Sequence, residues 1–336
     1  MKKDLTGLCG LLAENRDVMK KTLKWEAGLL QLAGAALFTA QGRLASEERI
    51  EQSKALLKEN TGAFSALRGF AKVPLLCRMA DSGYPEAYLS GVTELYGRLK
   101  KEKEFRWVDG TYLAMTAMTL YGSGGLAYAD ENVGRLRSMY GSMKKEHKWL
   151  TSSEDVPFAA LMAASGRDVQ EMIDESETCY SLLRTAFRDG NARQTLSHVL
   201  ALTPPAAEEK CERTAELWRI LKENKHRFGT GTEIAMLGLA ATADVPVEDM
   251  ADDIVHADDI LKNMKGFGTS IGAEQRRMYA ALLALCRHSG DNGEEASVTA
   301  SVAAQTAVEV EMEICMLILC SATTNTIVTT SAAAHS

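Results

Sequence analysis

Asn191, Gln194 and His198 stand at i, i+3 and i+7 within Gly190-Asn191-Ala192-Arg193-Gln194-Thr195-Leu196-Ser197-His198. That spacing puts three hydrogen-bonding side chains on one face of a helix. Such a stripe suits a polar ligand, with the imidazole able to exchange a proton near neutral pH. The turn Ser152-Ser153-Glu154-Asp155 brings carboxylates to a helix start nearby, so Asp155, Asn191, Gln194 and His198 are the candidate ligand-binding residues. The competing reading is structural, because the same groups can tie interhelical loops together through buried hydrogen bonds.

Other constellations are weaker. Asp252, His256 and Asp259, at i, i+4 and i+7, could offer a divalent metal three ligands. No second Glu-x-x-His helix completes a cage, and a solvated acidic face fits the pattern better. The chain has no G-x-x-x-x-G-K-[ST] or H-E-x-x-H, and no Cys/His spacing for zinc. No metal or cofactor is therefore expected, and no catalytic residue is identified. Gly266-Phe267-Gly268-Thr269-Ser270-Ile271-Gly272 follows a helix rather than a strand and reads as an interhelical loop.

The elements that must position these residues are helices, and they repeat. Arg135-Leu136-Arg137-Ser138-Met139-Tyr140-Gly141-Ser142-Met143-Lys144 returns 78 positions later as Arg213-Thr214-Ala215-Glu216-Leu217-Trp218-Arg219-Ile220-Leu221-Lys222, and a weaker copy begins at Arg49-Ile50. Apolar positions such as Val133, Leu136, Met139, Tyr140 and Met143 follow helical spacing. Each copy continues through a small apolar helix (Pro157 to Ala164; Ile234 to Ala241), a turn, an acidic amphipathic helix and a fourth helix ending near Leu200 or Leu283. The expected fold is all-α: three stacked four-helix units of about 80 residues each, forming an α-α superhelix or ring with helical caps. Residues 1–45 read as an N-terminal helical cap, 46–290 as the repeat array and 291–336 as a C-terminal helix or tail, with Val308 to Glu313 alternating as a strand would. His198 has no counterpart in the next copy, where Ala281 takes its place, so stacking alone does not require it.

The net charge of -7 is unevenly spread: residues 1–150 hold 23 Lys/Arg against 17 Asp/Glu, and the remainder 15 against 28. Basic helix ends recur with aromatics beside them (Lys144, Lys145 and Lys148 with Trp149; Lys222, Lys225 and Arg227 with Phe228; Lys100, Lys101, Lys103 and Arg106 with Trp107). Cations at helix C-termini complement the helix dipole, and the aromatics are expected to anchor those ends in the core. With a negative total and no nucleic-acid motif, a nucleic-acid partner is not expected. Seven scattered cysteines without a C-x-x-C pair fit reduced thiols in the cytoplasm. The apolar runs near Leu5 and Ile314 are too short for a signal or a membrane span.

Four segments carry a family resemblance: Thr61-Gly62-Ala63-Phe64-Ser65-Ala66-Leu67-Arg68-Gly69, the run from Met143 to Asp155, the run from Gly190 to Leu200, and Lys265-Gly266-Phe267-Gly268 with Gln275-Arg276-Arg277-Met278. They resemble an uncharacterised bacterial family, number four thousand and three of the domains of unknown function, over most of residues 10–290. The resemblance implies no activity. Two functions stay open: a helical-repeat interaction or scaffold protein binding a protein or peptide partner, and an enzyme or small-molecule binder using the pocket around Asn191, Gln194 and His198.

Overall fold

Fourteen α-helices follow one another in the computed structural model, which describes residues 4–148, 150–204, 206–268, 271–288 and 306. They are α1 (Leu5–Thr22), α2 (Gly28–Ala40), α3 (Glu47–Asn60), α4 (Lys72–Ser82), α5 (Pro85–Leu99), α6 (Gly110–Gly122), α7 (Ala129–Glu146), α8 (Asp155–Ala164), α9 (Val169–Leu182), α10 (Gly190–Ala201), α11 (Ala207–Glu223), α12 (Ile234–Ala241), α13 (Val247–Asn263) and α14 (Ala273–His288). Among the described residues there is no strand. The expected tail over 291–336, including Val308 to Glu313, lies outside the described residues apart from Thr306, and Trp149 lies outside them too.

Burial divides the helices into two layers. The even-numbered helices are buried nearly all round: every residue of α12 is buried, as is every residue of α10 from Ala192 to Ala201. Such helices form the inner layer. The odd-numbered helices bury one stripe and expose the rest, and most have acidic first turns and basic last turns that complement the helix dipole, as with Glu208, Glu209 and Lys222 on α11.

Packing joins both layers into a ring. Among inner helices, α2 packs on α4, α6 on α8, α8 on α10, α10 on α12, α12 on α14, and α14 returns to α2. Between α4 and α6 the link runs through α5 and the short 3-10 turn Ala66–Arg68. Outside, α7, α9, α11 and α13 pack in succession, α13 meets α1, and α1 meets α3. The pair α1–α2, expected to cap a stack, thus sits between the last and the first four-helix unit. Arg16 on α1 donates to the carbonyl of Gly266 and lies 4.8 Å over the Phe267 ring, tying that junction.

The units α3–α6, α7–α10 and α11–α14 repeat in detail. Arg135 Nε donates to Ala163 O (2.8 Å) and Arg213 Nε to Ala241 O (2.7 Å), so donor and acceptor are both displaced by 78 positions. These bonds satisfy carbonyls at the ends of α8 and α12 that have no partner within their own helix. Met143 and Leu221 are both buried, as the repeat requires. Phe105, Phe187 and Phe267, one after each amphipathic third helix (α5, α9, α13), are all 1% exposed. His147 bonds Glu177 and His226 bonds Asp258, each at 2.8 Å, across successive outer helices. Gly83 and Gly166 both adopt the left-handed conformation (φ 76 and 77) just past α4 and α8, where a side chain would be strained.

One consequence of alternating outer and inner helices is that all seven outer-to-inner connections share one rim. Lys72 at the start of α4 pairs with Glu26 before α2. Asp109 N–H, before α6, donates to Ser153 Oγ before α8 (3.3 Å). Leu150 lies against Gly190, and Arg277 on α14 donates to the carbonyl of Arg227 before α12. The inner-to-outer turns lie on the opposite rim, held by contacts such as Arg43–Asp81 (2.6 Å) and Arg167 Nη1 to Ala201 O (2.6 Å).

Candidate functional site

The α8 and α10 helices place the sequence-derived residues. α10 starts where the Asp189 carboxylate accepts the Ala192 N–H (3.0 Å), an N-cap that orients the helix into the ring. α8 starts at Asp155, whose Oδ2 reaches back to accept the Ser152 N–H (2.8 Å). This is a local side-chain-to-backbone bond that closes the Ser-x-x-Asp turn ahead of the helix. The helices pack on each other, so Asp155 faces the middle of α10.

Asp155, Gln194 and His198 come together; Asn191 does not. Gln194 Nε2 donates to Thr151 Oγ1 (3.0 Å) and to Asp155 Oδ1 (3.3 Å), and Thr151 Oγ1 donates to Met143 O (3.2 Å). His198 Nδ1 stands 3.8 Å from Asp155 Oδ1, beyond hydrogen-bond range. Asn191 lies in the first turn of α10 and is exposed at the rim. Glu154 stays at the surface end of the turn, where it accepts from Ser152 Oγ.

Burial sets the electrostatics. Asp155 is 4% exposed, Gln194 1% and His198 2%. Desolvation pushes the Asp155 carboxyl up to about 7 against the opposing pull of the Ser152 N–H, with Glu154 adding repulsion. Burial, and then the neighbouring His147, push the His198 imidazole down to about 3, so it is neutral. Burial also raises the Tyr140 phenol, which donates to Ser152 O (3.0 Å) on the edge of the same cluster. His198 Nδ1 and Gln194 Oε1 make no hydrogen bond to protein. Neither the cavity of about 120 Å³ between α2, α4 and α5 nor the cleft of about 320 Å³ beside α3 is lined by any member of the cluster.

The remaining sequence candidates are at the surface. Asp252, His256 and Asp259 are exposed on α13, and no group of three metal-binding side chains occurs among the described residues. The helix-end aromatics divide. Phe228 is fully buried as expected, but Trp107 is 86% exposed, because Phe105 two residues earlier fills the core position.

What sequence reasoning missed is the rim. Trp25, Phe64 and Trp107 are 87%, 104% and 86% exposed. They occupy the α1–α2, α3–α4 and α5–α6 connections, three successive positions on one rim. Lys24 lies 5.3 Å from the Trp25 ring and Arg106 5.0 Å from that of Trp107. Smaller exposed apolars, Leu44, Tyr84, Leu126 and Tyr128, lie on the opposite rim of the same hairpins. The signal available in the sequence was an aromatic in each of three equivalent loops.

Residues 15–314 match the family described as a protein of unknown function, DUF4003, a span that takes in every candidate residue and all of the ring except the first part of α1. The chain belongs to the DUF4003 family. The uncharacterized protein YeaA of Bacillus subtilis (strain 168) is 28% identical over 190 residues, 55% of this chain and 56% of the relative. The match therefore spans about half the length of that relative. No solved structure matches the chain. For this DUF4003 protein, function has to be argued from the site. No helix among the described residues is long and apolar enough to cross a membrane.

Proposed function

We propose that the ring is an interaction protein that docks a protein or peptide partner on its outer-to-inner rim, across the first three hairpins. The observation that carries this reading is the near-complete exposure of Trp25, Phe64 and Trp107 in three equivalent connections. Scattered surface apolars are ordinary, but large aromatics clustered on one edge are the residues that dominate protein interfaces. Cations beside them add orientation and speed of encounter. The polar cluster around His198, sealed between α8 and α10, then serves the core of the second unit. Cytoplasmic residence is supported by the buried, reduced state of Cys9, Cys77, Cys179, Cys211 and Cys286.

The test is affinity capture of the partner with the full chain, followed by its binding to variants. Trp25→Ala/Phe64→Ala/Trp107→Ala should weaken the complex by at least about tenfold. A Tyr84→Ala/Tyr128→Ala variant on the opposite rim should bind as before, and all three proteins should melt at the same temperature. Retention of full affinity by the triple variant contradicts the proposal.

One observation favours a second reading, a small polar ligand held by Asp155, Gln194 and His198. It is the pair of buried, unpartnered atoms, His198 Nδ1 and Gln194 Oε1, beside a carboxyl that titrates near neutrality. A metabolite that raises the melting temperature of the native chain but not of His198→Gln would support it. No such shift across a broad metabolite set would remove it.

A further inference from the structure

We infer that the docking segment of the partner is acidic, seated in a cleft between α3 and the connection into α4; this rests on the interaction reading above and names the partner's chemistry. The cleft holds about 320 Å³ and gathers Lys54, Lys58, Arg68 and Lys72 around Leu57, with Glu51 as its lining carboxylate. Two of the cations are fixed in advance. Lys54 Nζ donates to Thr22 O and to Glu51 Oε1, each at 2.8 Å, and Lys72 pairs with Glu26. The Arg68 guanidinium makes a long bond of 3.4 Å to Thr61 O, and Lys58 is exposed at the edge. Glu51 and Glu26 balance Lys54 and Lys72, which leaves the charges of Lys58 and Arg68 for an incoming carboxylate. That surplus is the complementarity that selects an anionic partner.

The surroundings say how large that partner segment is and what accompanies its charge. Trp25 adjoins Glu26 in sequence and Phe64 lies in the α3–α4 connection that supplies Arg68, so each of the two connections that contribute to this sector carries an exposed aromatic ring. They provide contact for apolar side chains next to the carboxylates. The volume is at the low end for binding pockets, enough for a few side chains. Further round the same rim both signs are exposed, with Lys100, Lys101 and Arg106 beside Asp109 and with Arg188 beside Asp189. The cleft has room for only a few side chains and the chain carries a net charge of -7, so a short acidic segment fits it better than a long polyanion.

The experiment uses the full chain and fluorescence anisotropy with labelled peptides of about ten residues in which Glu alternates with Leu and Phe. The comparison probes are the Gln counterpart, the Lys counterpart and a uridine oligonucleotide of similar length. The Glu peptide should bind at least about tenfold tighter than the Gln peptide, and weaken as salt rises from roughly 50 mM to roughly 300 mM. Lys58→Glu/Arg68→Glu should abolish that preference with unchanged circular dichroism. Equal binding of Glu and Gln peptides overturns the inference, and so does no binding of the Glu peptide or tighter binding of the oligonucleotide. If equal Glu and Gln binding is lost in Trp25→Ala/Phe64→Ala, the rim reading survives without its acidic partner; if no peptide responds to that variant, the rim reading falls as well.

Discussion

Two buried titratable groups with opposite shifts make the Asp155–His198 contact testable by pH. Asp155 holds its proton up to about 7 in the folded chain, against 3.8 ordinarily, so between those values the folded state binds more protons than the unfolded one. Stability attributable to Asp155 therefore falls as pH rises through that window. His198 is lowered from 6.5 to about 3, so between those values the unfolded state binds more protons and stability rises with pH. The two slopes oppose each other, and each substitution should reveal the other. Urea unfolding of Asp155→Asn should show stability climbing with pH up to about 6.5, and that of His198→Gln should show it falling towards about 7. Parallel slopes in both variants would contradict the assignment. The sequence pointed to this cluster because spacing fixes direction around a helix. It misplaced Asn191 because spacing says nothing of depth: Asn191 shares the face but sits in the first turn, at the rim.

For the helices, the repeat offset carried the most information. Arg135 and Arg213 were legible as equivalent, and both donate to the carbonyl end of the following inner helix. Arg213 also donates to Ala243 O (2.9 Å) and Val245 O (2.7 Å). Arg213→Ala should cost about 1.5–3 kcal/mol through these charge-assisted bonds, read as a shift in the urea midpoint. Leu221, fully buried where Met143 stands in the preceding unit, should cost roughly 2–5 kcal/mol as Leu221→Ala, while the neighbouring exposed Lys222→Ala should move the midpoint little. Comparable effects of the two would mean the register is wrong. Less legible was the fate of aromatics at helix ends. Trp107 and Phe105 are both large and apolar, and only the packing of α5 decides which one enters the core.

Ring closure is the feature furthest from local sequence. Helical periodicity assigns a buried face to α1 without naming its partners, and besides the adjacent α2 these include α13, more than two hundred positions away. A helical pair read as a terminal cap is instead a link between α13–α14 and α3–α4. We accordingly expect residues 5–288 to unfold in a single transition, and a chain lacking residues 1–45 to lose cooperative unfolding, because it exposes the faces of α4, α13 and α14 that α1 and α2 cover. A truncated chain with a sharp, near-native transition would argue for an open stack. Exposure on the rim was equally unreadable, since Trp and Phe are residues that sequence assigns to cores. The most direct test of the docking rim is hydrogen exchange of the full chain with and without its captured partner. The account predicts slowed exchange in the connections around Trp25, Phe64 and Trp107, with the turns bearing Leu44, Tyr84 and Tyr128 unchanged. Protection confined to those opposite turns, or to α8 and α10 around His198, would contradict it.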